Sequence, residues 1–273
     1  MLKSLRKAFV IGLLAFLSCT IAIACQTVEQ RAGSVAQTPI EKSSDKHSIH
    51  WSYGGAGNPT RWAELSEEYA ICEAGNSQSP VDIATQSQRE ENSTSIEFNY
   101  QAMPLAVTNN GHTIQVNYPQ GSSINIAGKE YKLLQFHFHT PSEHTLDENA
   151  YAMELHLVHQ NSEGNLAVVG VFMKQGQENT ALKPIWDNLP SEKGVKEVST
   201  VTINASSFLP ENREYYSYSG SLTTPPCSQE VSWNVLKMPI EVSAEQLEQF
   251  MDIYQMNARP VQALNQRKIQ FNQ

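Results

Sequence analysis

Basic side chains are scarce in this sequence: 19 Lys and Arg stand against 28 Asp and Glu, for a formal net charge of −9. A nucleic-acid binder needs a basic surface to neutralise phosphates, so no nucleic-acid partner is expected, and an electrostatic anion scavenger is disfavoured too. Cysteine is scarcer still, with four in 273 residues. Those in the folded part are too few and too far apart for a zinc ribbon. After residue 25 no stretch approaches the roughly 18 apolar residues of a membrane span. Internal repeats are lacking, and helical periodicity is rare.

The first segment present is a leader. Lys3, Arg6 and Lys7 precede an almost wholly apolar run, Ala8 to Ala24, which ends in Ala22-Ile23-Ala24 and then Cys25. This pattern is that of an export signal over residues 1–24, and it places the protein in the periplasm or outside the cell. An uncleaved anchor and a lipidated Cys25 are the alternatives; against the latter, Ala22 stands where lipoprotein signals usually carry Leu. Residues 25–48 are polar and without aromatics, as in a flexible tether. The folded domain then runs over 49–273. Cys72 and Cys227, both in that domain, read either as one bridge closing a long loop or as two unrelated buried thiols.

Period-two alternation marks strands at Ser95–Tyr100, Thr113–Tyr118, Ser123–Ile126, Tyr131–His139, Ala152–His159, Leu166–Met173 and Val198–Ile203. Short turns such as Asn109-Asn110-Gly111 and Ala127-Gly128 separate them. Helix signals are few. Ser243-Ala244-Glu245-Gln246 has the form of a capping box, followed by Leu247, Phe250, Met251 and Tyr254 on one face. Asn179–Asn188 suggests another short helix. The expected fold is mainly β (α+β): a large, twisted, mostly antiparallel central sheet with short peripheral helices.

The chemistry lies in histidines. In Gln135-Phe136-His137-Phe138-His139, strand alternation puts Gln135, His137 and His139 on one face and the two Phe on the other. In Glu154-Leu155-His156-Leu157-Val158, Glu154, His156 and Val158 share a face. A hairpin centred on Leu146–Asn149 would pair residues whose numbers sum to about 294, which brings His156 opposite or diagonal to the other two. Three neutral imidazoles with a fourth position left open suit a catalytic Zn2+. Gln135 and Glu154, each two residues before a ligand, can accept the outer ring N–H and set the tautomer.

These residues resemble the α-class carbonic anhydrases. The resemblance covers about 50–271 and rests on Gln78–Ile83 (QSPVDI), Asn109–His112 (NNGH), Gln135–Thr145 (QFHFHTPSEHT), Glu154–His159, Leu166–Gly170, Gly220–Cys227 (GSLTTPPC) and Asn257–Pro260 (NARP). The loop after His139 is shorter than in many animal relatives, a form that looks bacterial. The resemblance implies reversible hydration of CO2 to bicarbonate and a proton by a zinc-bound hydroxide. It implies zinc ligands at His137, His139 and His156, a gate-keeping pair at Glu143 and Thr223, and a proton shuttle at His112, whose ordinary pKa of about 6.5 suits neutral pH. It further implies an apolar CO2 wall of Val158, Val168, Leu222 and Trp233, Thr224 beside bicarbonate, and a Cys72–Cys227 disulfide that stiffens the loop of Thr223. His144 would be structural, held by Glu154 and Tyr218, and Asn257 would support the ligands. His159 reads as structural, and His47 and His50 as solvated. A homodimer is left open. A catalytically silent binding module, a zinc esterase and a metal-storage protein are the competing readings.

Overall fold

Alternating apolar and polar side chains extend into strands that are buried on both faces at the centre of one large sheet. The computed structural model describes residues 50–85, 89–92 and 94–273. The readings for the signal, the tether, Cys25 and His47 lie outside the described residues. In chain order the strands are β1 (Asp82–Ile83), β2 (Arg89–Asn92), β3 (Ile96–Asn99), β4 (Met103–Asn109), β5 (Ile114–Asn117), β6 (Ser123–Ile126), β7 (Lys129–His139), β8 (Thr145–Leu146), β9 (Asn149–Ala150), β10 (Met153–Gln160), β11 (Leu166–Gln175), β12 (Gly194–Ile203), β13 (Tyr215–Ser221), β14 (Gln229–Val242) and β15 (Ile269–Asn272).

Twelve strands form the main sheet, in the order β12-β4-β5-β7-β10-β11-β14-β13-β15-β2, with β6 also on β7 and β3 on β6. The strands β1, β8 and β9 form a separate small sheet. Most pairs are antiparallel, as expected. The exceptions in the main sheet are β11 with β14 and β15 with β2, both parallel. A parallel pair needs a long crossover, and the chain from 176 to 228 supplies it between β11 and β14. Tight turns serve the antiparallel pairs. Ala127 and Gly128, both at positive φ, reverse the chain between β6 and β7.

The two faces of the sheet bury different clusters. Phe136, Phe138, Leu155, Leu157, Val169, Val171 and Leu236 belong to the larger one. Val168, Phe172, Tyr216, Tyr218, Trp233 and Val235 belong to the other, on the face shared with the histidines. Helices are short and peripheral: α1 (Trp62–Leu65), α2 (Ile71–Ala74), α3 (Lys183–Trp186) and α4 (Ala244–Met251). Helix α4 starts with the expected box, in which Ser243 Oγ accepts from Gln246 N at 3.2 Å and Gln246 Oε1 accepts from Ser243 N at 3.1 Å. Its Phe250 is buried, whereas Met251 is exposed and Tyr254 lies past the helix end. The helix expected over Asn179–Asn188 narrows to α3, which opens on Lys183 and carries Pro184, a residue suited to a helix only in its first turn.

Cys72 of α2 is bonded to Cys227, 155 residues away, and both pack with Tyr53 and Trp62. Closing so long a loop restricts the unfolded chain. Replacing both cysteines by Ser is expected to cost about 2–5 kcal/mol. An unchanged denaturation midpoint with an unchanged m-value would contradict this.

Candidate metal centre

The strand β7 carries Gln135, His137 and His139 on one face, and β10 lies beside it antiparallel. The register sets His156 opposite His137 and Glu154 opposite His139. The three rings converge, with centroid separations of 4.9 Å for His137–His139, 5.3 Å for His137–His156 and 4.6 Å for His139–His156. One ligand nitrogen from each lies within 4.8 Å of the other two.

Two of the rings are held by hydrogen bonds at their outer nitrogens, and the third lies against a carboxylate. His137 Nδ1 is 2.8 Å from Gln135 Oε1, and His139 Nδ1 is 2.7 Å from the Asn257 carbonyl oxygen. His156 Nε2 lies 2.9 Å from Glu154 Oε1, off the line of a well-formed hydrogen bond. The inner atoms left over are His137 Nε2, His139 Nε2 and His156 Nδ1. His139 Nε2 is fully buried without a hydrogen-bond partner. Such an orphan is costly unless something binds it. Three nitrogen donors at mutual metal-ligand spacing fit a zinc ion.

The electrostatics agree. Burial, then the neighbouring His139 and His156, hold His137 well below its ordinary pKa. Burial lowers His139 too, against an opposing pull from Glu143. Both rings therefore stay neutral with a lone pair to give. Burial also opposes charge on His156, but Glu154 and then Glu143 outweigh it and raise the pKa. That carboxylate attracts the ring proton to Nε2 and leaves Nδ1 facing inward.

Glu154 is a hub. Its Oε2 accepts from the backbone N–H groups of Glu143 and His144, both at 2.9 Å, and its Oε1 accepts from His144 Nδ1 at 2.8 Å. Burial would push its pKa up, but His144 and His156 hold it well below the usual carboxylate range. Gly170 makes the space, since a Cβ there would stand 2.9 Å from Glu154 Oε1. His144 Nε2 is 2.7 Å from Tyr218 Oη, which is 2.8 Å from Ser79 Oγ. Both of its nitrogens are thus engaged, one by Glu154 and one by Tyr218.

Glu143 is buried, and its Oε1 accepts from Arg259 N at 2.8 Å. Its Oε2 sits 3.6 Å from His139 Nε2 and 3.8 Å from His156 Nδ1, without a hydrogen-bond partner. Thr223 is also buried; among the described residues no hydrogen bond joins it to Glu143. Val158, Val168 and Trp233 stand in register across β10, β11 and β14, and Leu222 joins the same cluster. The Trp233 ring is 4.8 Å from that of His156. Asn257 Nδ2 donates to the carbonyls of Phe138 and His112, at 2.9 and 3.1 Å.

Beside the triad lies a cavity of about 130 Å³ that His137, His139, Gln135, Thr224, His112 and Trp51 help line. His112 stacks on the Trp51 indole, ring centroids 3.6 Å apart. Burial, then His50 and Lys193, lower its pKa to about 4. The ordinary value near 6.5 therefore does not describe the ring in this stacked position. His159 is buried in the opposite core, Nε2 2.9 Å from Tyr100 Oη. Arg259, quoted only as part of a motif, proves to be buried: its guanidinium donates to Gln78 Oε1, Ser79 O and Cys72 O at 2.6–2.8 Å. It ties the disulfide region to Glu143. Trp51 and Tyr53 also went unassigned, because an aromatic cluster at the start of a domain reads as core.

The sequence profile of eukaryotic-type carbonic anhydrases matches residues 57–273. A carbonic anhydrase of Nostoc sp. is 44% identical over 225 residues, 81% of this chain and 85% of that protein. One from Klebsiella pneumoniae is 43% identical over 225 residues, 81% and 90% of the two chains. The α-carbonic anhydrase of Thermovibrio ammonificans, solved with the inhibitor sulfanilamide, superposes with a TM-score of 0.78 at 45% identity over 81% of this chain and 98% of its own. Fold, site geometry and sequence thus converge, and the chain belongs to the eukaryotic-type carbonic anhydrase family.

Proposed function

We propose that His137, His139 and His156 hold one zinc ion, and that the protein catalyses the reversible hydration of CO2 to bicarbonate and a proton. One observation carries this reading: three ring nitrogens converge at metal-ligand spacing beside a cavity that His137 and His139 line. Zinc in such a site acts as a Lewis acid and brings the pKa of bound water to about 7. The residues do the rest. Val158, Val168, Leu222 and Trp233 form an apolar wall, the fitting receptor for a molecule with no charge and no dipole. The unpaired Glu143 Oε2 would accept from the Thr223 hydroxyl, which in turn would orient the attacking oxygen. Thr224 offers a polar contact to bicarbonate. His112 receives the released proton and passes it on. The competing esterase reading uses the same site.

An exported setting is part of the proposal. The leader over 1–24 and a disulfide that persists only under oxidising conditions both support it. Stopped-flow CO2 hydration on the purified protein is the direct test. Chelation should abolish activity, and stoichiometric zinc should restore it, with ester cleavage a slower companion. Hydration that survives removal of zinc would overturn the proposal.

A further inference from the structure

Beside His112 stands His50, read from sequence as merely solvated. It is exposed, yet its ring meets that of His112 edge-on, centroids 5.1 Å apart at 65°. Both rings lean on Trp51, His112 stacked at 3.6 Å and His50 edge-on at 6.1 Å. The half-buried His112 lines the cavity with His137 and His139. The three side chains therefore step from the cavity to solvent.

We propose that His50 is a second proton-relay residue, which takes the proton from His112 and releases it to solvent. This rests on the reading of His112 as the first carrier. The balance is simple. An N–H bond of the His112 imidazolium breaks and one forms on the neutral His50 ring. That ring then loses its proton to a buffer base, and both imidazoles return to neutral. No other reactant is needed.

Two features favour the transfer. First, His112 sheds protons readily, because burial, His50 and Lys193 all disfavour its charged form. Lys193, which lies where a Cβ on Gly111 would clash, is a cation and no acceptor. The exposed His50 is an acceptor in ring contact. Second, His112 is anchored. Its backbone N–H donates to Asn110 Oδ1 at 2.9 Å and its carbonyl accepts from Asn257 Nδ2 at 3.1 Å. A fixed donor beside an acceptor shortens the search that transfer to bulk buffer requires.

The test compares His50→Ala, His112→Ala and the double variant, all zinc-loaded. Turnover is measured in weak buffer and in ample imidazole, and the His112 ring is titrated by NMR in the His50→Ala protein. His50→Ala should lower weak-buffer turnover several-fold, recover in imidazole and raise the His112 midpoint. The double variant should be no worse than His112→Ala. If only His112→Ala is impaired, the relay is wrong and the His112 reading stands. If His112→Ala turns over like the wild type, both fall. Multiplying losses in the double variant would show two separate paths and overturn the relay, as would an unmoved His112 midpoint.

Discussion

Replacing His139 with Ala is expected to weaken zinc binding by two to three orders of magnitude and to remove CO2 hydration. Zinc held by nitrogen and sulfur side chains contributes roughly 10–16 kcal/mol, so one ligand of three or four is worth about 3–4 kcal/mol, or about 100- to 1,000-fold. His139 is the most telling of the three. It is wholly buried, its Nδ1 is fixed by the Asn257 carbonyl, and its Nε2 has no protein partner. The zinc affinity of the folded variant, measured by competition with a chromophoric chelator, is the check. Retention of zinc near the wild-type affinity would mean that the ring does not bind metal.

Glu154→Gln should be nearly as damaging, though it touches no substrate. The carboxylate accepts from two backbone N–H groups and from His144, and it lies against His156. An amide of the same shape turns an NH2 group toward one set of donors. Breaking a buried charge network of this kind costs about 3–5 kcal/mol. Loss of the partner that orients a ligand typically costs 10- to 100-fold in metal affinity. Both losses should appear together, one in denaturant melts and the other in zinc competition. A variant with wild-type values of both would show that the hub is dispensable. Stability should also be pH-dependent. The folded-state pKa of Glu154 is depressed, so its contribution is complete above the unfolded value near 4.3 and is lost as the pH falls through the folded one.

Much of this site was legible in the residue order, because strand periodicity is strict. His137 and His139 must share a face, Phe136 and Phe138 must take the other, and a hairpin must bring Glu154 and His156 alongside. The actual register departs little from the expected one. Several things were not legible. Strands β4, β13 and β14 lacked a pattern that stood out: Pro104 interrupts β4, Ser and Gly dilute β13, and Lys237 and Pro239 break the run of β14. The parallel pairing of β11 with β14 depends on a long crossover that no local signal specifies. Arg259 looked like any surface cation. Its burial follows from three carbonyl-type oxygens that come from Cys72, Gln78 and Ser79, 180 to 187 residues upstream.

The residue order alone put the three candidate donors, with Gln135 and Glu154, on matching strand faces and indicated the mainly β class, because these follow from side-chain chemistry and a period of two. Tertiary structure alone decided the state of each group. It stacked His112 on Trp51 and lowered its pKa, left Glu143 Oε2 without a hydrogen-bond partner, and set the His50 ring against that of His112. Proton affinity depends on burial and on nearby charge, and both come from parts of the chain that are distant in sequence.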